Sequence, residues 1–182
     1  GGGSEGPRAG ISPLQQYKGV AANPPRYEDM DSIRQTGPDG LLCAGGDPRR
    51  RGLDVPRSAG WARTPSRPVA GFVDMVWEAT ASHNPSFLMV FLTRPNWTPD
   101  RELRWEDLEL IYKGESPEPD RSVYPNLYRY RVPFPAGRQG DAMVYSVWQR
   151  RDSGNEGFFN CSDITLQDTG LPAFPWIEEK PF

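Results

Sequence analysis

The sequence predicts an all-β protein built as a β-sandwich, and two observations support this prediction. First, the 182 residues include 19 glycines and 20 prolines, about twice the ordinary share of these two residue types. This density disfavours long helices and favours short strands joined by turns. Second, apolar residues are concentrated in segments of strand length that such turns separate. The length of the chain corresponds to a single domain with a hydrophobic core.

The amino-terminal third is predicted to be mostly irregular. Residues 1–17 show no hydrophobic period, so we expect an irregular arm there. A short first strand is predicted over residues 18–27, where two consecutive prolines end it. Residues 28–68 contain repeated Gly, Pro and Asp turn signals and are predicted to form loops.

Strand patterns are clear in the rest of the chain. Residues 69–80 alternate, and residues 87–93 form a continuous apolar run of the length expected for a central strand. One helical turn is predicted at residues 104–109. Further strands are predicted at 108–113, 127–134, 141–150 and 160–166. The β-sandwich domain is therefore assigned to residues 18–166, and residues 167–182 are predicted to form an extended tail packed on it.

Composition and charge argue against several classes of function. A formal net charge of −3 argues against nucleic-acid binding, which needs a basic face. No apolar run approaches the ~18 residues that cross a bilayer, so we expect no membrane partner. Two cysteines and one histidine cannot fill the four positions of a structural zinc site. No Gly-x-Ser-x-Gly elbow and no dinucleotide-binding fingerprint follows a predicted strand, and the sequence lacks a phosphate-loop pattern.

His83 is the one imidazole that the sequence offers for chemistry. It lies in the segment Thr-Ala-Ser-His-Asn-Pro-Ser between two predicted strands, and therefore at one end of the sandwich. General-base work, nucleophile activation or metal binding by an imidazole would have to use this residue. On its own, a histidine in a loop is more often an exposed residue without such a task.

Three blocks carry a more specific pattern: GPDGLLCAGG (37–46), TASHNPSFLMVFLTRPNWTPDRELRWEDLEL (80–110) and VYSVWQRRDSGNEGFFNCSDITL (144–166). In this order they resemble the lytic polysaccharide monooxygenases of the chitin-binding type, auxiliary activity family ten. The third block is similar to the carboxy-terminal signature of that family. The residues of the central block that fit the family pattern are Ala81, His83, Thr93, Pro95, Trp97, Leu103, Trp105, Asp107 and Leu108.

The resemblance implies a fold, an activity and partners. The fold is an immunoglobulin- or fibronectin III-like β-sandwich with long loops and a flat face for crystalline polysaccharide. The activity is copper-dependent oxidative cleavage of chitin or cellulose, in which copper supplies the redox chemistry and an external electron donor reduces it. The resemblance further implies a secreted, extracellular protein, and we expect a monomer.

The resemblance also implies roles for five residues. His83 matches the second copper-binding histidine, Ala81 matches the small residue beside the open coordination position, and Phe158 matches the axial aromatic residue. A role for Phe158 in the core is the alternative, because aromatic residues near strands are usually buried. Cys43 and Cys161 match a cysteine pair that forms a disulfide, with two reduced, buried thiols as the alternative.

One position departs from the family pattern. The family's mature chain begins with a histidine whose amine and imidazole bind copper, and Lys18 occupies the matching position here. An internal lysine has neither an imidazole nor a free α-amine. Two alternatives follow: a histidine immediately before Gly1 restores the copper site, or copper is lost and polysaccharide or glycan binding survives without catalysis. The sequence does not identify the substrate-binding residues. It does not distinguish chitin from cellulose as the substrate, or C1 from C4 as the oxidised carbon.

Overall fold

The computed structural model describes residues 29–56, 61–152, 154 and 156–167, together with the backbone of residues 15–18. Strands dominate this part of the chain. In chain order the elements are strand β1 (Gln15–Lys18), helix α1 (Met30–Thr36), a 3-10 helix (Pro48–Asp54), β2 (Thr64–Ser66), β3 (Phe72–Ala79), β4 (Ser86–Thr93), a 3-10 turn (Trp105–Asp107), β5 (Leu108–Glu115), β6 (Asn126–Pro133), β7 (Gly140–Arg150) and β8 (Glu156–Leu166).

The strands form two sheets, which confirms the predicted β-sandwich. The larger sheet has the order β1-β8-β7-β4-β5, and all of these neighbours pair antiparallel. Strand β2 pairs in parallel with the second half of β8. The smaller sheet consists of β3 and β6, which pair antiparallel along their full length.

Strand β4 explains why a continuous apolar run forms a strand here. Its odd-numbered residues, such as Phe87 and Phe91, lie in one hydrophobic cluster, and its even-numbered residues, such as Leu88 and Val90, lie in a second. Successive side chains of a strand point to opposite faces, so this strand is buried on both. The second cluster lies between the two sheets, and the first lies between the larger sheet and the segment 29–56.

The segment that covers the first cluster corrects the prediction of loops over residues 28–68. It contains α1, in which the Asp29 carboxylate accepts a hydrogen bond from the Asp31 backbone and caps the first turn. The 3-10 helix starts in the same way, with Asp47 as its cap and Pro48 at its first position. Ile33 from α1 and Leu53 from the 3-10 helix are buried against the larger sheet, and this packing stabilises two short helices that the sequence pattern does not reveal.

A disulfide joins this segment to the sheet, and hydrogen bonds within the segment hold the loop that carries Cys43. Cys43 is joined to Cys161 of β8 by a disulfide, the same two cysteines that the family resemblance paired. The buried Asp54 carboxylate accepts hydrogen bonds from the backbone N–H groups of Cys43, at 2.8 Å, and of Ala44, at 2.9 Å. The position of the Cys43 loop over β8 is therefore fixed from two sides.

Several boundaries differ from the predictions. Strand β1 begins at Gln15, inside the predicted arm, because it pairs with the start of β8. Strand β8 itself begins at Glu156, four residues before the predicted start. Most of the predicted arm, most of the predicted first strand and all of the predicted tail except Gln167 lie outside the described residues. In the described part of the chain, none of the helices has the length and apolar character needed to cross a membrane.

Candidate functional site

One end of the sandwich gathers the ends of four strands. In the larger sheet, Ser86 at the start of β4 pairs with Arg150 at the end of β7. In the smaller sheet, Ala79 at the end of β3 pairs with Asn126 at the start of β6. The loops that connect these strands, including the loop that carries His83, therefore meet at the same end. We call this region the His83 end.

Backbone and ring contacts fix His83 in its loop. Its backbone N–H donates to the hydroxyl oxygen of Tyr128 in β6, at 3.1 Å. Its ring lies against Trp148 of β7, with 6.1 Å between ring centroids. The side chain is 25% exposed, and its Nδ1 lies 3.9 Å from Oδ2 of Asp152. The imidazole is thus held at the surface with one side packed on the core.

A cluster of charges lies beside His83. Arg150 at the end of β7 donates from Nε and Nη2 to Oδ2 of Asp152, at 2.9 and 2.7 Å, and from Nη1 to Oε2 of Glu156 at the start of β8. Asp152 also accepts a hydrogen bond from the Gly154 backbone at 3.0 Å. Two carboxylates therefore share one guanidinium, an arrangement of charge-assisted hydrogen bonds that joins Asp152 and the start of β8 to the end of β7.

These neighbours set the protonation state of His83. Partial burial lowers the pKa of His83 below its ordinary value of 6.5, and the positive charge of Arg150 lowers it further. Asp152 and Glu156 act in the opposite direction and raise it less. The Arg150 guanidinium, in turn, holds the pKa of Asp152 below its usual value. His83 is accordingly neutral at pH 7, the form in which an imidazole nitrogen binds metals or accepts a proton.

The aromatic rings of Phe158 and Trp148 pack against each other at the His83 end. The two rings lie 5.1 Å apart between centroids, and Phe158 is 8% exposed. Trp148 also contacts Tyr128, with 5.1 Å between centroids, and donates from Nε1 to the Ser116 hydroxyl at 3.1 Å. Phe158 thus belongs to the core between the sheets. It contacts Trp148, which in turn contacts His83. Its position is therefore compatible with a role in the core and with a role beside a metal at His83.

The structure places the other predicted site residues as follows. Ala81 lies two residues before His83 in the turn after β3, and it is exposed. The backbone of Lys18 stands opposite Glu156 in the pairing of β1 with β8. The backbone of Lys18, which the sequence resemblance matched to the first copper-binding histidine, therefore lies next to Glu156 of the charge cluster beside His83.

Sequence reasoning missed Arg150, Asp152, Glu156 and Trp148 as members of this site. The available signal was the group of charged residues over 150–156, two arginines followed by Asp152 and Glu156, at the end of a predicted strand. That pattern alone does not show which charges meet. The contact of Arg150 with Glu156 depends on the antiparallel register of β7 with β8, which brings Gln149 opposite Gly157.

The described residues do not form a complete copper site. Among them there is no group of three His, Cys, Asp or Glu side chains placed to hold a metal ion. A copper site built from nitrogen ligands needs more than one such donor, and His83 supplies one. The neighbouring guanidinium of Arg150 adds a positive charge near any cation that bound there.

A comparison with protein-family models shows the family to which the chain belongs. The family model described as "lytic polysaccharide mono-oxygenase, cellulose-degrading" matches residues 8–164. The chain belongs to this family of lytic polysaccharide monooxygenases. This membership is consistent with the two-sheet fold.

Known relatives of this monooxygenase family resemble the chain over most of its length. The chitin-binding protein CbpD of Pseudomonas aeruginosa is 34% identical over 145 residues, which cover 76% of this chain and 34% of the relative. A lytic cellulose monooxygenase of Streptomyces ambofaciens is 37% identical over 134 residues, which cover 71% of this chain and 36% of the relative. The chain thus spans about a third of the length of these two relatives.

Solved structures show the same fold. Fusolin from spindles of a Wiseana entomopoxvirus superposes with a TM-score of 0.69 and 29% identity, covering 92% of this chain and 65% of fusolin. The cellulose-active monooxygenase CelS2 in complex with copper superposes with a TM-score of 0.66 and 30% identity, covering 85% of this chain and 74% of CelS2.

Proposed function

We propose that this monooxygenase-family domain acts on chitin or cellulose and that it contacts the polysaccharide through the His83 end. The observation that carries this proposal is the position of His83. Its backbone N–H donates to Tyr128, its ring packs on Trp148, and it lies at the surface of a domain with this family's fold. Relatives named for chitin binding and for cellulose cleavage support a polysaccharide as the partner.

Copper-dependent oxidation is the activity that we propose for this end of the molecule. When bound, copper would supply the redox chemistry, and an external electron donor would be a partner of the reaction. His83 would contribute one nitrogen ligand, and its lowered pKa keeps that nitrogen unprotonated at neutral pH. The remaining nitrogen ligands are not among the described residues. A histidine immediately before Gly1 would supply them, and oxidation by this chain depends on it.

Polysaccharide binding without cleavage is the second candidate, and a specific observation favours it. Lys18 stands at the position matched to the first copper-binding histidine, opposite Glu156 in the strand pairing. Arg150 bridges Glu156 and Asp152 beside His83. In this arrangement, ion pairs among protein residues take the place of additional metal ligands, and the domain would bind a glycan surface only.

We further propose a secreted, extracellular location and a monomeric state, in keeping with an insoluble polysaccharide as the partner. The disulfide between Cys43 and Cys161 supports an oxidising compartment.

A copper titration separates the two candidates. The full chain and its His83→Ala variant are titrated with Cu(II) by calorimetry, with electron paramagnetic resonance as a second readout. Both proteins are then incubated with chitin or cellulose, a reductant and oxygen, and soluble products are analysed by mass spectrometry. Tight copper binding and oxidised oligosaccharides that both disappear in His83→Ala support oxidation.

Adsorption of both proteins to chitin and to cellulose, measured beside the titration, distinguishes the remaining outcomes. Adsorption to the polysaccharide together with weak copper binding that His83→Ala leaves unchanged supports the binding-only candidate. Absence of both copper binding and adsorption to chitin or cellulose contradicts the proposed function.

A further inference from the structure

The loop between β5 and β6 carries an exposed aromatic side chain next to the His83 loop. Tyr124 is 78% exposed, and its neighbour Val123 is 48% exposed. Among the large apolar and aromatic side chains of the described residues, Tyr124 is the most exposed. Single exposed apolar side chains are common on protein surfaces, so a binding role for Tyr124 depends on its position and on the order of its loop. Nothing in the core of the domain explains this side chain, because it contributes to neither hydrophobic cluster.

Contacts between two loops place Tyr124 at the His83 end. Asn126, two residues after Tyr124, donates from Nδ2 to the Ser82 hydroxyl at 2.8 Å. Earlier in the same loop, the Pro117 carbonyl accepts a hydrogen bond from Nδ2 of Asn84 at 3.3 Å. Ser82 and Asn84 are the two residues that flank His83. The β5–β6 loop and the His83 loop therefore form one continuous surface.

The part of the loop that presents Tyr124 is held in shape by its own hydrogen bonds. Asp120 and Leu127 exchange both backbone hydrogen bonds, at 2.8 and 2.9 Å, and so close the segment between them. The Asp120 carboxylate accepts from the backbone N–H and the hydroxyl of Ser122, at 2.9 and 2.6 Å. A surface ordered before binding loses less conformational entropy when it binds.

We propose that Tyr124 is a substrate-binding residue that stacks on a pyranose ring of a β-1,4-linked polysaccharide chain lying across the His83 end. This inference rests on the proposed function and adds a contact residue to it. A pyranose ring presents an apolar face of C–H groups, and a tyrosine offers a flat ring with a hydroxyl at its rim. A neutral polysaccharide fits this contact, because the loop provides an aromatic surface and hydrogen-bonding groups rather than a patch of one charge.

The test measures adsorption of the full chain to insoluble chitin and to cellulose. The dissociation constants of the wild-type chain, Tyr124→Ala and Tyr124→Trp are obtained from depletion isotherms. We expect Tyr124→Ala to weaken adsorption about tenfold, the range that loss of one aromatic contact produces, and Tyr124→Trp to retain it. Thermal unfolding of each variant shows whether the fold is kept, and little change is expected because Tyr124 is exposed.

Phe72→Ala serves as the matched control. Phe72 is also an exposed aromatic residue, but it lies at the opposite end of the smaller sheet, where it pairs with Pro133. Seven strand residues separate it from the His83 end, about 23 Å along the strand. Adsorption of Phe72→Ala at wild-type strength supports the inference when Tyr124→Ala is weakened.

The failures of the two proposals are distinguishable. If the wild-type chain adsorbs and Tyr124→Ala adsorbs equally well, or if Phe72→Ala is weakened to the same extent, the role of Tyr124 is overturned and the proposed function stands. If the wild-type chain adsorbs to neither polysaccharide, the proposed function is contradicted and this inference falls with it.

Discussion

The Arg150 guanidinium donates twice to one carboxylate oxygen of Asp152, from Nε at 2.9 Å and from Nη2 at 2.7 Å. The same Asp152 oxygen lies 3.9 Å from Nδ1 of His83. Arg150 therefore acts on His83 in two ways: its positive charge disfavours the imidazolium, and it engages the carboxylate that would stabilise that imidazolium.

Removing the guanidinium should raise the pKa of His83. In Arg150→Gln the repulsive charge is gone and the guanidinium no longer offsets the charge of Asp152, which favours the protonated ring, so both changes act in the same direction. The pKa is measured by NMR titration of the metal-free chain, in which the single histidine gives an unambiguous imidazole signal. Arg104→Gln is a suitable control, because Arg104 pairs with Glu106 at the other end of β4 and β5. A His83 pKa that is unchanged or lower in Arg150→Gln would contradict this account of the site.

The lowered pKa of His83 also predicts how stability depends on pH. The unfolded chain takes up the proton near pH 6.5, whereas the folded chain does so at lower pH. Destabilisation therefore begins as the pH falls below about 6.5 and is complete below the folded pKa. His83→Gln lacks this contribution. Between about pH 7.5 and about pH 5, the melting temperature of the wild-type chain should fall further than that of His83→Gln, and equal falls would refute the prediction.

The disulfide between Cys43 and Cys161 should be a large contribution to stability. The two residues are 118 positions apart, and in the chain-entropy model a loop of this length corresponds to about 4 to 5 kcal/mol. The double variant Cys43→Ala/Cys161→Ala is compared with the wild-type chain by denaturant unfolding. A loss of under about 1 kcal/mol, below the typical range for disulfides, would show that the packed helices hold the segment 29–56 on the sheet without the disulfide.

Two variants of Phe158 separate its two possible roles. Phe158→Ala should lower the free energy of unfolding by about 3 kcal/mol, because a ring packed on Trp148 is replaced by a cavity. Phe158→Leu retains most of the volume and should unfold nearly as the wild-type chain does. If copper binds, a changed electron paramagnetic resonance spectrum in Phe158→Leu indicates contact with the metal site. An unchanged spectrum leaves Phe158 as a core residue only.

The fold was predictable where the hydrophobic pattern alone determines the element. The run from Phe87 to Thr93 predicted a central strand because both of its faces are buried. Helix α1 was not predictable in this way, since its seven residues depend on capping by Asp29 and on packing of Ile33 rather than on a periodic pattern. Strand β2 was also missed, because it has three residues and contains Pro65.

One part of the candidate site was predictable from the sequence, and the rest was not. The position of His83 at one end of the sandwich follows from its place between two strands. The contact of Arg150 with Glu156 does not follow from sequence, because it forms through the register of β7 with β8. The same holds for Tyr124, whose proximity to the His83 loop depends on a hydrogen bond between Asn126 and Ser82, which are 44 positions apart.

Hydrogen–deuterium exchange on insoluble polysaccharide tests most directly whether the His83 end is the surface that meets the substrate. Exchange of the full chain is compared in solution and when adsorbed to chitin or cellulose. The account predicts slower exchange in peptides that cover residues 80–86 and 116–126, with little change in residues 94–107 at the opposite end of the larger sheet. Protection confined to residues 94–107, with the His83 loop exchanging as it does in solution, would contradict it.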